Sequence, residues 1–347
     1  MPEPSPTSPK RRRGRLFRFG AALVVLFALA GYLVVQYVTG GTGAPGCKVV
    51  SGRADGKAYE FTPEQAVNAA TITAVGTGRG MPQRAVTIAL ATALQESGLR
   101  NIEHGDRDSL GLFQQRPSQG WGTEKQIMDP TYAAGMFYEH LTKVPDYKDL
   151  PLTVAAQRVQ RSGYPEAYAK HEPDAELLAA ALTGRTAASL TCEGRPRTET
   201  ATSADTGTGT GTSAKVAVTA TGPDAVRAAL VRDFGRDALQ EAGAEVGGAQ
   251  TPTPTPSVTA EARGRTVTVP VPDDAKADAA GRSERERGWQ LAHWAVANSA
   301  ALHIRQVVYA GREWAAGSTD SAWRSSAGAG ADGAEKSAGS VRIVTGQ

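Results

Sequence analysis

The sequence predicts an N-terminal transmembrane helix, then a mainly helical domain, then a small α+β domain. Three observations support this order. Residues 19–38 are almost entirely apolar, residues 62–193 carry apolar side chains at helical spacing, and residues 223–347 alternate helical and strand patterns. A spacer at residues 39–61 and a linker rich in Thr, Gly and Ala at residues 194–222 separate the three parts.

The N-terminal segment predicts that the rest of the chain lies outside a membrane. Residues 1–18 end in a basic cluster, and the apolar run that follows is long enough for a bilayer, which needs about 20 residues. Positive charge before a span predicts a cytoplasmic N-terminus, so residues 39–347 are expected to be extracellular and anchored to the cell membrane. A cleaved signal peptide, with Ala28-Leu29-Ala30 near the cleavage site, is the alternative. The apolar run continues past that site, which favours a retained span.

Composition excludes several classes of function. The net charge of +3 is nearly balanced, so nucleic acid is not indicated as a partner. The five histidines are scattered and no Cys-x-x-Cys pair occurs, so neither a metal nor a cofactor is predicted. Two widely spaced cysteines outside a membrane favour a disulfide between Cys47 and Cys192, with two unpaired thiols as the alternative.

Helix starts are easy to recognise in the first domain. Thr62 before Pro63 predicts a helix N-cap, Pro82 opens a second helix that ends at Glu96-Ser97, and Asp129 opens a third. Further helical patterns cover residues 152–159, 164–171 and 175–182. In the C-terminal domain the patterns predict helices at 224–239 and 289–302, and strands at 265–271, 304–309 and 341–344, with another strand entered through the turn at 311–314.

Two motifs in the first domain resemble a known family. Gln95-Glu96-Ser97, followed by Gly111-Leu112-Phe113-Gln114, is similar to the Glu-Ser and Gly-Leu-Met-Gln motifs of soluble-lytic-transglycosylase-like domains in the lysozyme-like superfamily. The sequence from Gly105 to Gly122 resembles an actinobacterial branch of that group. The resemblance covers roughly residues 62–180. It implies a lysozyme-like helical fold and an enzyme that cleaves the MurNAc–GlcNAc bond of peptidoglycan glycan strands.

The chemistry of such a cleavage needs a protonated acid beside the leaving oxygen. A carboxyl group at the apolar end of a helix can keep its proton because burial disfavours the anion. The resemblance makes Glu96 the single catalytic acid and base, with attack by the neighbouring sugar 6-hydroxyl and a 1,6-anhydro product. A hydrolytic muramidase would need a second carboxylate, for which Asp106 and Asp108 are the candidates.

The resemblance also implies a set of substrate contacts around Glu96. The family's third motif, Ala-Tyr-Asn, has no obvious counterpart in the helix at 155–165, where Tyr164 is the stand-in for the tyrosine and Gln157 or Gln160 for its polar partner. Each of these contacts has a plainer alternative as a core or loop residue. The predicted substrate-binding residues are Ser97, Asp106, Asp108, Gly111, Phe113, Gln114, Gln115, Trp121 and Tyr164.

The C-terminal part resembles a small domain found at the end of secreted actinobacterial wall-associated proteins. The similarity lies in two segments of sequence, from Gly288 to Ala292 and from Val308 to Trp314. His293, His303 and Arg312 are candidates for a site there, although a binding or packing module is the plainer interpretation. For the whole chain, the alternative to an enzyme is a non-catalytic wall-binding or envelope assembly protein that uses the same groove.

Overall fold

The computed structural model describes residues 46–162, 165–194, 222–236, 264–271, 281–317, 322–326 and 339–346. The predicted span at 19–38, the basic tail and most of the linker at 194–222 lie outside these residues. Among the helices that are described, none is both long and apolar enough to cross a bilayer. Within the described residues the fold is mixed, with eight α-helices and two antiparallel sheets.

Six of these helices build the first part of the chain. They are α1 (Pro63–Gly78), α2 (Gln83–Ser97), α3 (Glu124–Ile127), α4 (Pro130–Thr142), α5 (Leu152–Gln160) and α6 (Glu172–Leu182). Two short 3-10 helices, Pro117–Gln119 and Pro165–His171, lie between them. The buried faces of α1 and α2 are rich in Ala, so the two helices can approach each other closely in the core.

Local capping residues fix where these helices begin. The Thr62 hydroxyl accepts a hydrogen bond from the Gln65 N–H, and the Gln65 side chain accepts one from the Thr62 N–H, which completes a capping box. Asp129 accepts hydrogen bonds from the first turn of α4 in the same way. The helix starts predicted at Thr62, Pro82 and Asp129 are therefore confirmed.

A three-stranded antiparallel sheet flanks these helices, and it was not predicted. It contains β1 (Cys47–Val50), β2 (Ala58–Phe61) and β3 (Leu190–Cys192), in the order β2-β1-β3. Cys47 lies opposite Cys192 in the register of β1 and β3, and the two form a disulfide. The predicted disulfide is confirmed, and it joins the beginning of the helical part to its end.

The C-terminal part is a five-stranded antiparallel sheet with two helices. The strand order is β4-β8-β5-β6-β7. The helix predicted at 289–302 instead begins and ends five residues earlier, because Ser283 and Glu286 form a capping box at its start. In chain order the elements are α7 (Pro223–Phe234), β4 (Thr266–Pro270), α8 (Glu284–Ala297), β5 (Ile304–Tyr309), β6 (Arg312–Ala315), β7 (Arg324–Ser325) and β8 (Ser340–Thr345).

The two parts pack against each other within one unit that spans residues 45–347. α8 contacts α1, α6 and β3 as well as its own sheet. The buried carboxylate of Asp233 on α7 accepts hydrogen bonds from Thr71 of α1 at 3.2 Å and from the Trp294 indole of α8 at 2.8 Å. Gln290 of α8 also donates to the hydroxyl of Thr77. Polar contacts at this depth fix one relative orientation of the packed helices, because an unpaired buried group would be costly.

His293 is part of this contact rather than of an open site. Its side chain is fully buried, one ring nitrogen bonds the Ala181 carbonyl and the other accepts from the Ser189 N–H. Burial lowers the pKa of His293 to about 4, against the opposing effect of the Ala181 carbonyl. The imidazole is therefore neutral at physiological pH and acts as a packing residue.

Candidate functional site

Glu96 lies in the last turn of α2, as the motif predicted. The helix ends at Gly98, which has a φ of +63°, and the N–H groups of Gly98 and Leu99 bond the carbonyls of Leu94 and Ala93. The rest of α2 is largely buried, whereas Glu96 is half-buried. The carboxyl group therefore sits where a core helix reaches the surface.

Ser97 connects this helix end to the second motif. Its side chain is buried, and the hydroxyl lies 2.8 Å from the carbonyl oxygen of Leu112, to which it donates. The Ser97 hydroxyl oxygen in turn accepts a hydrogen bond from the Arg100 N–H. Ser97 therefore positions the Gly-Leu-Phe-Gln segment beside Glu96, and its hydroxyl is already engaged within the protein.

Gly111 allows the second motif to turn tightly. Its φ is +75°, and a Cβ atom at this position would lie 2.8 Å from the Ile127 carbonyl oxygen, so only glycine fits. The turn is closed by paired backbone hydrogen bonds between Leu110 and Gln115. Gly111 therefore has a structural role in this loop, and its N–H is occupied by the Ile102 carbonyl.

Two residues predicted to bind substrate lie in the core instead. Phe113 is fully buried and stacks on Phe137 with ring centroids 4.7 Å apart. Gln115 is 2% exposed and donates to the Ala133 carbonyl. Neither side chain reaches the surface, so both hold the loop against α4. Gln114 is half-buried and donates to the Gly111 carbonyl within its own turn.

The two candidate second carboxylates occupy the loop that precedes this turn. Asp108 accepts hydrogen bonds from the Ser118 N–H at 2.9 Å and from the Arg116 guanidinium at 2.6 Å. The Ser118 contacts, followed by Arg116, hold the pKa of Asp108 well below its usual range. Asp106 is exposed. Among the described residues, neither aspartate makes an ion pair or hydrogen bond with a residue that contacts Glu96.

Trp121 follows the second motif in the chain, after the 3-10 helix Pro117–Gln119. It is 7% exposed, and its ring packs against that of His140 at a tilt of 33°, with centroids 4.1 Å apart. Its carbonyl accepts a hydrogen bond from the Tyr132 hydroxyl. Nearby, the Gln160 side chain donates to the Phe113 carbonyl at 2.8 Å, so α5 is attached to the same loop.

The structure places a tyrosine against Glu96 that was not predicted. Tyr168, on the 3-10 helix Pro165–His171, donates its hydroxyl hydrogen to Oε1 of Glu96 at 2.6 Å. Its side chain is fully buried, and burial together with the charge of Glu96 raises the pKa of the phenol above its usual value. Tyr168 therefore keeps its proton and stays a donor. The predicted stand-in, Tyr164, lies outside the described residues.

The sequence contains a partial match to the third family motif at Tyr168. Ala167-Tyr168 matches the first two letters of the Ala-Tyr-Asn motif, and Ala169 stands where that motif has asparagine. This partial match lies on the 3-10 helix Pro165–His171, one element later than the helix on which the motif is predicted. The same 3-10 helix makes a second contact with the end of α2, between the His171 ring and the Gln95 side chain at 3.2 Å.

Together these contacts define a half-buried carboxyl group that is held by one hydrogen bond, from Tyr168. Tyr168 occupies Oε1, and among the described residues no hydrogen bond to Oε2 is made. Such a group can give a proton to a bound molecule and take one back. No group of three or more described His, Cys, Asp or Glu residues is arranged to hold a metal ion.

Comparison with known proteins informs the C-terminal part. Residues 227–336 match the family model described as the VldE C-terminal domain. The matched range begins within α7 and ends before β8. This match agrees with the prediction that the C-terminal part is a domain type that other proteins share. A search of curated proteins finds none that matches the chain.

Proposed function

We propose that the chain is a membrane-anchored, extracellular enzyme with a lysozyme-like helical domain, and that it cleaves the MurNAc–GlcNAc bond of peptidoglycan. The observation that supports this most directly is the 2.6 Å hydrogen bond from Tyr168 to Glu96 beside the Gly-Leu-Phe-Gln turn. In this proposal Tyr168 is the counterpart of the tyrosine in the third family motif. Glu96 is the single catalytic residue in this proposal.

The geometry suggests how one carboxyl group performs both steps. Tyr168 fixes Oε1, so the proton of the neutral acid is carried by Oε2, which gives it to the glycosidic oxygen as the bond to C1 of MurNAc breaks. The resulting carboxylate then takes the proton of the MurNAc 6-hydroxyl as that oxygen bonds to C1. The product is a 1,6-anhydro sugar, and no water is consumed.

The environment of the two aspartates favours this route over hydrolysis. Asp108 is held as an anion by Ser118 and Arg116, which use both of its oxygens. A general base for water needs a free oxygen near the reacting carbon. We therefore assign Asp108 to holding the loop, and we do not assign a catalytic role to Asp106.

A non-catalytic wall-binding or envelope assembly protein is the second candidate. Ala169 favours it, because the family motif has asparagine at this position and a methyl group cannot hydrogen bond to a sugar. In this case the surface around Glu96 binds the glycan strand without cleaving it.

The products released from peptidoglycan distinguish these functions. The purified full chain is incubated with actinobacterial sacculi, and the soluble fragments are analysed by mass spectrometry. We expect fragments that end in 1,6-anhydro-muramic acid. Fragments with a reducing muramic acid would contradict the single-carboxyl mechanism, and retention on sacculi without any fragments would favour the binding protein.

Removal of the Tyr168 hydroxyl tests the positioning of Glu96. Tyr168→Phe keeps the buried ring but loses one charge-assisted hydrogen bond, and we expect fragment release to slow by about 10- to 100-fold. The measurement is the initial rate of release from sacculi. Tyr147→Phe, a change at another buried tyrosine of the same domain, is the matched control and should keep the wild-type rate. Equal rates for all three proteins would show that Tyr168 does not position the acid.

A further inference from the structure

A pocket of about 700 Å³ lies between the ends of α4 and α5. Trp121 and His140, whose rings are in contact at a tilt of 33°, line part of it. Lys143, Arg158 and Arg161 also line it, whereas none of the described Asp or Glu residues does. The pocket therefore combines aromatic side chains with a concentration of positive charge.

The cationic side chains of this pocket remain accessible. Arg158 and Arg161 are exposed, and Lys143 forms an ion pair of 2.8 Å with Glu139 in which both side chains are at least half exposed. An ion pair this exposed contributes little stability, so a bound anion can compete for the ammonium group.

The positive charge of this pocket also affects His140, which is one of its lining residues. Its pKa is lowered, first by burial and then by the positive charges of Lys143 and Arg161, against the opposing charge of Glu139. The imidazole next to Trp121 is therefore neutral, so the positive charge of the pocket comes from Lys143, Arg158 and Arg161.

The pocket is joined to the candidate active site by one short segment. Gln160, which lines the pocket, donates to the Phe113 carbonyl at 2.8 Å. The carbonyl of the preceding residue, Leu112, accepts from Ser97, the neighbour of Glu96. The pocket and the candidate active site are therefore held to the same loop, in which Leu112 and Phe113 are adjacent.

We propose that this pocket binds the carboxylate groups of the glycan strand, and that Arg158 and Arg161 make the enzyme selective for strands that carry them. This inference rests on the proposed function, since it takes peptidoglycan as the substrate. A guanidinium group pairs with a carboxylate through two parallel hydrogen bonds, and Trp121 and His140 supply the less polar side of the pocket. The carboxylate belongs either to the lactyl group of muramic acid or to an attached stem peptide.

Binding measurements with three soluble tetrasaccharides test this selectivity. The full chain carries Glu96→Gln, so that no ligand is cleaved during the titration. The ligands are chitotetraose, which is neutral, an alternating GlcNAc–MurNAc tetrasaccharide with free lactyl carboxylates, and the same tetrasaccharide with stem peptides. Isothermal titration calorimetry at low and high salt gives each affinity, and salt should weaken only the binding of the charged ligands.

We expect at least one carboxylate ligand to bind about 10-fold or more tightly than chitotetraose. Adding Arg158→Gln and Arg161→Gln should remove this advantage and leave chitotetraose binding unchanged. Lys125→Gln with Lys148→Gln removes the same charge from exposed lysines that do not line the pocket, and it should have no effect. The ligand that loses affinity in the arginine variant identifies the source of the carboxylate.

Equal affinities for all three ligands, or an arginine variant that behaves like the lysine control, would overturn the inference. Its failure differs from a failure of the proposed function. Fragment release without a preference for carboxylates contradicts the pocket assignment alone. Carboxylate-dependent binding without fragment release contradicts the proposed enzyme alone.

Discussion

Glu96→Gln should abolish the release of soluble fragments from sacculi, with a loss of about 1,000-fold or more. The amide has no acidic proton to give to the glycosidic oxygen and cannot take one from the 6-hydroxyl. Its carbonyl oxygen still accepts the hydrogen bond that Tyr168 makes to Oε1, so the fold around the site should persist. The measurement is the rate of fragment release, together with the thermal unfolding midpoint of the variant.

A matched substitution on the neighbouring loop distinguishes the loss of the catalytic acid from the mere loss of one negative charge. Glu103→Gln removes one carboxylate from an exposed position and should keep the wild-type rate. If Glu96→Gln retained fragment release at the rate of this control, Glu96 would not be the catalytic acid. An unchanged unfolding midpoint in both variants would show that the slower fragment release is not caused by unfolding of the protein.

Loss of the Cys47–Cys192 disulfide should be the most destabilising change away from the site. The bond joins residues that are 145 positions apart, so its removal frees a very long loop in the unfolded chain. The chain-entropy model then gives a loss of about 4 to 5 kcal/mol in the free energy of unfolding. Urea unfolding of the Cys47→Ser, Cys192→Ser variant measures this loss.

Reduction of the wild-type protein provides the control for that variant. With dithiothreitol present, the wild-type urea midpoint should fall to that of the double serine variant, which should itself be insensitive to the reductant. A variant with the wild-type midpoint would show that contacts around β1 and β3, and not the covalent bond, hold these strands together.

Much of the helical part was predictable because its signals are local. Thr62 and Asp129 cap helices through residues two or three positions away, and such contacts can be read directly from sequence spacing. The sheet formed by β1, β2 and β3 depends instead on pairing between residues at opposite ends of the domain. Strands of three or four residues carry too little pattern to reveal such pairing.

The candidate site was predicted only in part for a related reason. The motifs located Glu96 and the turn at Gly111, because both depend on nearby residues. The motifs do not distinguish surface from core positions within the Gly-Leu-Phe-Gln segment, so they predict substrate contacts at Phe113 and Gln115, although tertiary packing buries both. Tyr168 reaches Glu96 from a segment 72 positions away, and a contact between residues so far apart in the chain leaves no local spacing pattern in the sequence.

The position of the disulfide has a mechanical consequence. The Cα atoms of Cys47 and Cys192 are 4.0 Å apart, so the chain enters and leaves the helical part at the same place. Tension applied between the N-terminal side of β1 and the C-terminal side of β3 is carried by the covalent bond, and the 144 residues between the two cysteines form a loop that bears no load. The helices around Glu96 are thereby isolated from pulling forces between the two ends of the chain.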